Sequence, residues 1–237
     1  MEETESKSGI SKNSLAIPIT ANDHDFPDCL NSIPHPPSIL FYRGDISLVK
    51  FSQRITIVGT RMPTDSGIEE CQYITKWFVD REYVIVSGLA KGIDTVAHET
   101  CLKYGGKTIA ILPSGIGNIY PPENIELSER IVNSGGLLIS EYPENSSPRK
   151  SYFVQRDRLQ SGLSLGVIVI ETEIHGGTMH TANFAIKQNR PLGCVEFSDD
   201  KNNDKRSGNK EVLNCGKAFG ITRETIMDFE MMLRPLV

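Results

Sequence analysis

Short apolar runs alternate with longer amphipathic stretches along the chain after Phe51. The runs have the length of strands, are rich in β-branched residues and carry almost no charge, as do strands buried on both faces of a parallel sheet. The predicted strands are Ile55–Val58, Tyr83–Val86, Thr108–Leu112, Leu137–Ile139, Val167–Ile170 and Leu192–Val195.

The stretches between these strands have helical periodicity. After N-cap candidates at residues 64–66, apolar residues recur at the spacing of one helix face, namely Ile68, Cys71, Ile74 and Phe78. Further helices are predicted at Ile93–Tyr104, Ile125–Asn133, near Phe153–Gly162 and at Met179–Lys187. The alternation predicts an α/β fold, with a mostly parallel sheet and helices on both faces.

The ends of the chain and two further segments lack this rhythm. Residues 1–25 are polar and aperiodic, which predicts a disordered N-terminal tail. Four prolines in Phe26–Gly44 indicate an irregular lead-in to the domain, and the polar run Phe197–Asn209 predicts a mobile loop. The amphipathic stretch Arg223–Leu233 predicts a closing helix or a partner-binding helix.

Composition narrows the class of protein. The chain has 237 residues, of which 38% are hydrophobic, and no apolar run approaches the length of a membrane span. Its N-terminus is acidic where a signal peptide would be basic, so we expect a cytoplasmic protein without a membrane partner. The five cysteines are widely spaced and include no C-x-x-C pair, so neither a disulfide scaffold nor a metal site is predicted.

The net charge of -5 by itself argues against nucleic acid as a partner, because phosphate binding leaves a basic footprint. The distribution of charge removes that objection. Residues 43–191 contain 16 Lys+Arg and 16 Asp+Glu, so the acidity belongs to the ends of the chain. A neutral domain with a local basic segment can bind phosphates while the whole chain stays acidic.

Three glycine-rich loops follow the first three predicted strands, at residues 59–61, 87–94 and 113–117. In an open parallel sheet, ligands bind beyond the carboxyl ends of the strands. The spacing matches neither a dinucleotide fingerprint nor a P-loop. Glycine also serves tight turns, but three such loops in succession predict a binding crevice suited to phosphates or a nucleotide.

The segment Arg149–Arg158 carries a net charge of +3 in ten residues, with Tyr152 and Phe153 among the cations. Cations provide phosphate contacts and aromatic rings stack on unpaired bases, which is typical of a single-stranded nucleic-acid site. The alternative is a solvated helix face with Phe153 in the core. Composition alone leaves both interpretations open.

Candidate catalytic groups lack a supporting arrangement. Asp94 and His98 share a helix face, but no nucleophile stands in an elbow context, and a structural role is favoured. His175 and His180 do not align on a helix, which argues against a metal site. Glu141 and Glu171 each follow a predicted strand, and nothing in the sequence brings them together. Acid–base work by Glu141 and Glu171 stays open on the residues alone, and no residue is assigned as catalytic and no cofactor is predicted.

The ordered motifs resemble the DprA/Smf family of DNA-processing proteins over about Phe26–Thr222, which defines the predicted domain, with 223–237 as a C-terminal helix or tail. The motifs are VGTR at residue 58, SGLAKGID at 87, GGKTIAILPSGIGNIYPPEN at 105, GGLLISEYP at 135, FVQRDRLQSGLS at 153, VIVIET at 167, GGTMHTANFA at 176 and SGNKEVLNCGKAF at 207. The resemblance implies an extended Rossmann-like domain that binds single-stranded DNA, forms homodimers and helps load a RecA-type recombinase in transformation or recombination.

The resemblance also implies a positively charged DNA pocket, whose side chains here are Arg61, Lys150, Phe153, Arg156 and Arg158. The predicted site adds residues of the glycine loops: Gly59, Thr60, Ser87, Gly88, Lys91 and Gly115.

This chain departs from the family pattern at Asp157, which stands where the family usually has asparagine between two arginines. The carboxylate either weakens phosphate binding by repulsion or holds an arginine in position. The segments outside the resemblance are short, so we expect a minimal core without further DNA-binding modules. The alternative hypothesis is a Rossmann-like sensor of a free nucleotide or signal, related to LOG phosphoribohydrolases. The stretch 175–181 lacks the glutamate that those enzymes use, which argues against catalysis.

Overall fold

A single nine-stranded sheet organises the computed structural model, which describes residues 16–198 and 204–233. The strands are β1 Ile17–Thr20, β2 Ile39–Gly44, β3 Arg54–Val58, β4 Val84–Ser87, β5 Thr108–Leu112, β6 Leu137–Ser140, β7 Gly166–Val169, β8 Leu192–Val195 and β9 Phe219–Ile221. The α-helices in these residues are α1 Asp65–Val79, α2 Ile93–Lys103, α3 Ile125–Asn133, α4 Lys150–Leu163, α5 Thr178–Lys187, α6 Ser207–Asn214 and α7 Ile226–Met232.

The strand order is β1-β2-β6-β5-β4-β3-β7-β8-β9. The strands from β6 to β9 in this order pair in parallel, and β1 and β2 extend the β6 edge in antiparallel fashion. The chain winds outwards from β3 in both directions, because β4 lies on one side of it and β7 on the other. The predicted α/β class, with a mostly parallel sheet, is confirmed.

Helices cover both faces of the sheet. On one face α1 and α2 pack on Ile55 and Ile57 of β3, and α7 adds the fully buried Phe229. On the other face α4 packs on β4, β5 and β6 through Leu159 and Leu163, while α5 and α6 pack on β7 and β8. Alternate residues of each strand therefore point into opposite layers, which explains why the strands read as continuous apolar runs.

Three predictions about the less regular segments are corrected by the structure. Residues 17–20 form the edge strand β1, so the ordered domain begins before residue 26; the rest of the predicted disordered tail, residues 1–15, lies outside the described residues. The proline-rich lead-in contains β2, which pairs with β6. The predicted loop 197–209 contains the start of α6, while residues 199–203 lie outside the described part.

The C-terminal stretch forms a closing helix. Ile226 and Phe229 of α7 are fully buried in the layer that α1 and α2 occupy. The burial of these two side chains shows that α7 is part of the domain, so the folded unit extends beyond residue 222. Among the described residues, no helix is long and apolar enough to cross a membrane.

Candidate nucleic-acid interface at the switch point of the sheet

A cavity of about 470 Å³ opens at the carboxyl end of β3, between the neighbouring strands β4 and β7. Its walls come from the loops that follow these three strands and from one side of α4 and the start of α5. Strand order reverses at this point, and open α/β sheets bind ligands at such a crevice. The volume lies within the roughly 300–1,000 Å³ that small ligand sites span.

Five of the residues predicted from the sequence meet in this cavity: Gly59, Thr60, Arg61, Phe153 and Arg156. Arg61 is exposed, and its guanidinium carbon lies 5.2 Å from the centroid of the Phe153 ring. The mouth therefore combines an exposed cation with an aromatic ring, which is what a phosphate and an unstacked base require.

The spacing of residues on α4 decides which of its side chains face the cavity. Phe153, Arg156, Asp157 and Gln160 line it, and they recur three or four residues apart on one side of the helix. Lys150 is exposed one turn before Phe153, at the first residue of α4. It does not line the cavity, and its helix position places it three residues before Phe153, which does.

Arg156 is almost fully buried at the floor of the cavity. Its Nε lies 3.2 Å from Asp157 Oδ1, and its Nη2 lies 3.8 Å from Asp94 Oδ2. Gly88 makes room for it, because a Cβ at residue 88 would overlap the guanidinium. Gly88, in the second glycine-rich loop, therefore leaves the space that the Arg156 guanidinium occupies.

The two carboxyl groups beside Arg156 have raised pKa values. Burial is the main cause in both, and it raises the pKa of Asp157 to about 7, while Arg156 acts in the opposite direction. Burial also raises the pKa of Asp94 above its ordinary value, although Arg156 lowers it. Asp157 thus holds Arg156 in position, one of the two roles considered for it, and titrates near neutral pH.

Arg158 points away from the cavity into an ion pair with Glu141, with Nη–Oε distances of 2.5 and 2.6 Å. It also donates from Nε to the carbonyl oxygen of His35 at 2.8 Å and from Nη1 to that of Gln155 at 2.6 Å. These contacts tie α4 to the end of β6 and to the segment before β2. A direct contact between Arg158 and DNA remains a prediction, and the geometry favours a positioning role.

The other predicted loop residues lie around the cavity without lining it. Ser87 is buried and donates to the carbonyl oxygen of Ile57 at 2.7 Å, which joins β4 to β3. Lys91 is exposed and paired with Glu123 at 2.5 Å. The amide of Gly115 donates to the carbonyl oxygen of Ser146 at 2.9 Å, and a Cβ at Gly115 would overlap backbone atoms of residues 143 and 144. These residues shape the loops that carry the site.

The candidate catalytic groups are engaged elsewhere. His98 is fully buried, its Nδ1 lies 2.7 Å from Thr108 Oγ1, and burial together with Arg156 lowers its pKa to about 3. Glu171 is fully buried and accepts hydrogen bonds from Arg206 Nε at 2.9 Å and from the Thr64 amide at 2.7 Å. Glu141 and Glu171 therefore each belong to a separate structural ion pair. The described residues contain no cluster of groups that could hold a metal ion.

Sequence reasoning missed two parts of the site. One is Tyr120, whose ring packs edge-on against Phe153 with centroids 5.5 Å apart. The other is the wall after β7, where the loop bearing Gly176 and Gly177 leads into α5 and His180. A glycine pair in the loop between a predicted strand and a predicted helix was the available signal, since glycine-rich loops after strands had been used to identify the loops after the first three predicted strands.

Together, the fold and the cavity define a Rossmann-like α/β protein with a ligand site at the switch point of its sheet. Comparison with known proteins gives the family: the chain belongs to the DNA recombination-mediator protein A family, whose model matches residues 18–230. The resemblance seen in the sequence motifs is thereby confirmed.

Relatives and solved structures agree with this assignment. The Smf protein of Synechocystis is 41% identical over 185 residues, which are 77% of this chain and 46% of that protein. The X-ray structure of DNA processing protein A from Streptococcus pneumoniae has a TM-score of 0.82 at 33% identity and covers 91% of this chain and 74% of that one. DNA processing protein A from Helicobacter pylori, described for its single-stranded DNA binding mode, has a TM-score of 0.81 at 29% identity and covers 92% and 97%. The chain spans about half to three fifths of the length of the curated relatives that it matches.

Proposed function

We propose that this chain binds single-stranded DNA at the cavity beside β3 and acts, without enzymatic activity, as a recombination mediator in DNA uptake or recombination. The observation that carries the proposal is the meeting of Arg61, Phe153 and Arg156 at the switch point of the sheet. Family membership supports the same role. The phosphoribohydrolase alternative is not favoured, because the comparisons lead to a different family.

Each predicted site residue has a distinct part in the proposal. Arg61 and Lys150 contact phosphates, since both are exposed. Gly59 and Thr60 shape the cavity beside Arg61, where the Thr60 amide already donates to the carbonyl oxygen of Glu171 at 2.7 Å. Phe153 offers a stacking face for a base. The remaining residues hold the loops and α4 in place, namely Ser87, Gly88, Lys91, Gly115 and Arg158.

The proposal extends to partners on the support of the family alone. A mediator of recombination must hand its DNA to a recombinase, so we include a RecA-type recombinase as partner, a homodimeric state and a cytoplasmic location. Light scattering on the purified chain tests the dimer. Capture of a RecA-type protein on the immobilised chain, with and without oligo-dT, tests the second interaction.

Fluorescence anisotropy with labelled dT20 in a salt series tests DNA binding. We expect binding that weakens steeply as salt rises, because phosphate contacts release counterions. Arg61→Ala removes one such contact and should lower the salt slope by about 1, with a similar loss for every base sequence. Phe153→Leu should cost about 1–3 kcal/mol through lost stacking while leaving the slope unchanged.

Arg130→Ala is the matched control, because Arg130 is also an exposed arginine but lies on α3, outside the cavity lining, and pairs with Glu99. It should leave both affinity and slope unchanged. Absence of binding to dT20 at low salt, or equal losses in Arg61→Ala and Arg130→Ala, contradicts the proposed site.

A further inference from the structure

The floor of the cavity contains buried polar groups without partners. Gln160 is fully buried, and neither its amide oxygen nor its amide nitrogen has a hydrogen-bond partner among the described residues. Within the same residues, Nε and Nη1 of Arg156 also lack one. Buried polar atoms are almost always satisfied in folded proteins, so this group of donors and acceptors makes the floor a candidate surface for hydrogen bonding to a ligand.

The charges at the cavity argue against a phosphate at the floor. Three carboxylates line the cavity, those of Asp94, Asp157 and Glu173, against the two guanidinium groups of Arg61 and Arg156. A phosphate is an acceptor only, and the carboxylates would repel it. The floor instead suits a neutral ligand whose edge offers both donors and acceptors, while phosphates remain at the mouth beside Arg61.

The carboxylate of Asp157 determines which hydrogen-bonding edge of a ligand fits the floor best. Its carboxylate lines the cavity, and no hydrogen bond to its oxygens is found among the described residues beyond the 3.2 Å ion-pair contact with Arg156. A carboxylate can accept two parallel N–H bonds. Of the DNA bases, only guanine carries two adjacent donors, N1–H and the N2 amino group, next to an acceptor oxygen, O6.

We propose that the cavity selects one guanine base of single-stranded DNA, and that Asp157 is the residue that determines this specificity. N1–H and the N2 amino group donate to the Asp157 carboxylate, while Arg156 and Gln160 donate to O6. The inference rests on the proposed function, since it concerns the DNA that enters the same cavity. Thymine has one ring N–H donor, and adenine and cytosine have one amino group each, so none of them fills both oxygens of Asp157.

The test compares 20-residue oligonucleotides that are dT throughout except for one central guanine, inosine, adenine or cytosine. A lone guanine cannot form a quadruplex, and inosine lacks only the N2 amino group. At pH 8, where Asp157 is ionised, we expect the guanine oligonucleotide to bind about tenfold more tightly than dT20, within the discrimination of a bidentate base contact. Inosine should lose most of that gain.

Asp157→Asn keeps the shape of the side chain but replaces one acceptor by a donor. It should bring the affinity for the guanine oligonucleotide to within about twofold of that for dT20, and this ratio is measured within the variant, whatever its affinity for dT20. Glu173→Gln removes an equal charge from an exposed residue of the same cavity and should keep the preference. Circular dichroism and thermal unfolding establish that both variants are folded.

Each other outcome overturns the inference. If the wild-type chain binds all four oligonucleotides equally, or if Asp157→Asn and Glu173→Gln change the preference alike, the base is not read by Asp157 although the DNA-binding proposal stands. If no oligonucleotide binds, the proposed function itself fails. If free dGMP binds as tightly as the guanine oligonucleotide and dT20 does not displace it, the cavity takes a free nucleotide instead of DNA.

Discussion

The ion pair between Arg158 and Glu141 allows the positioning role of Arg158 to be separated from DNA contact. Both side chains are mostly buried, with 9% and 15% exposed, and the guanidinium also donates to the carbonyl oxygens of His35 and Gln155. Arg158→Met leaves the Glu141 carboxylate without its partner, and Glu141→Met leaves the guanidinium without its own. The double variant leaves neither charge unpaired.

The magnitudes follow from these contacts. Breaking one side of a buried ion pair costs about 3–5 kcal/mol of unfolding free energy, and we expect about 3 for Glu141→Met because some solvent reaches the pair. Arg158→Met also loses the two hydrogen bonds to carbonyl oxygens, at about 1 kcal/mol each, so it should cost about 5 kcal/mol. The double variant loses the same two bonds and some packing but leaves no charge unpaired, so it should cost about 3 kcal/mol. The double-mutant cycle should then give a coupling of at least about 3 kcal/mol.

Urea denaturation of the four proteins measures the cycle, and anisotropy with dT20 measures DNA binding in the folded double variant. We expect the double variant to bind dT20 within about threefold of wild type and with an unchanged salt slope, because no phosphate contact is lost. If each single variant loses less than about 1 kcal/mol of unfolding free energy and the two losses add up in the double variant, the reasoning on stability is refuted. A slope lowered by about 1 would show instead that Arg158 contacts a phosphate directly.

Two further predictions concern the seat of Arg156. Gly88→Ala places a Cβ where the guanidinium of Arg156 lies, so it should lower the free energy of unfolding by about 1–3 kcal/mol and weaken dT20 binding. Gly177→Ala is the control: its Cβ meets nothing within 4 Å, so its stability in urea should stay unchanged. Asp157→Asn should raise the melting temperature at pH 8 but not near pH 4. Asp157 faces Arg156, Asp94 and Arg61, and its pKa is raised to about 7 in the native state. The native state therefore favours the protonated carboxyl, and the stability that this protonation contributes is present at low pH and lost as the pH rises through about 7. A gain that is equal at both pH values contradicts this assignment.

The central strands could be predicted from the sequence to within one residue at each end, as β5 and β8 show. They are buried on both faces, so an apolar run suffices to identify them. The outer strands could not be predicted in this way. In the edge strand β1, Ile19 is buried while Ile17 is half-exposed. Its neighbour β2 contains Tyr42 and Arg43 and is only partly buried, so both strands mix polar with apolar residues.

Helix α6 shows why the polar segment before β9 was misread. Its buried residues are Gly208, Asn209 and Val212, so it lacks the apolar stripe that identifies a helix in sequence. Asn209 takes the place of that stripe: its amide nitrogen donates to the carbonyl oxygen of Ile170 at 2.7 Å, and its oxygen accepts from the amide of Thr172 at 2.8 Å. Hydrogen bonds attach this helix to the sheet, and a search for apolar periodicity in the sequence cannot detect such bonds.

The candidate site was predictable where residue type and strand position together determine it, as at Arg61 and Phe153. The two arginines of α4 were not distinguishable by composition, because both look like phosphate ligands. Helix geometry separates them, since residues two apart point to different sides: Arg156 reaches the cavity floor and Arg158 the Glu141 carboxylate. The orphaned amide of Gln160 has no sequence signal, because it depends on what the fold leaves unpaired.

Some glycines of the glycine-rich loops line the cavity, and others make room for the side chains and backbone that form its wall. Gly59 lines the cavity, but Gly88 accommodates Arg156, and Gly115 lets the backbone after β6 pass close to the loop after β5. Arg156 in turn stands between Asp94 and Asp157, so the shape of the floor depends on a glycine that touches no ligand. In the proposed complex, carboxylates at the floor accept hydrogen bonds from the base and Arg61 at the mouth contacts the phosphate, and this separation would let a domain with no net positive charge accept a polyanion.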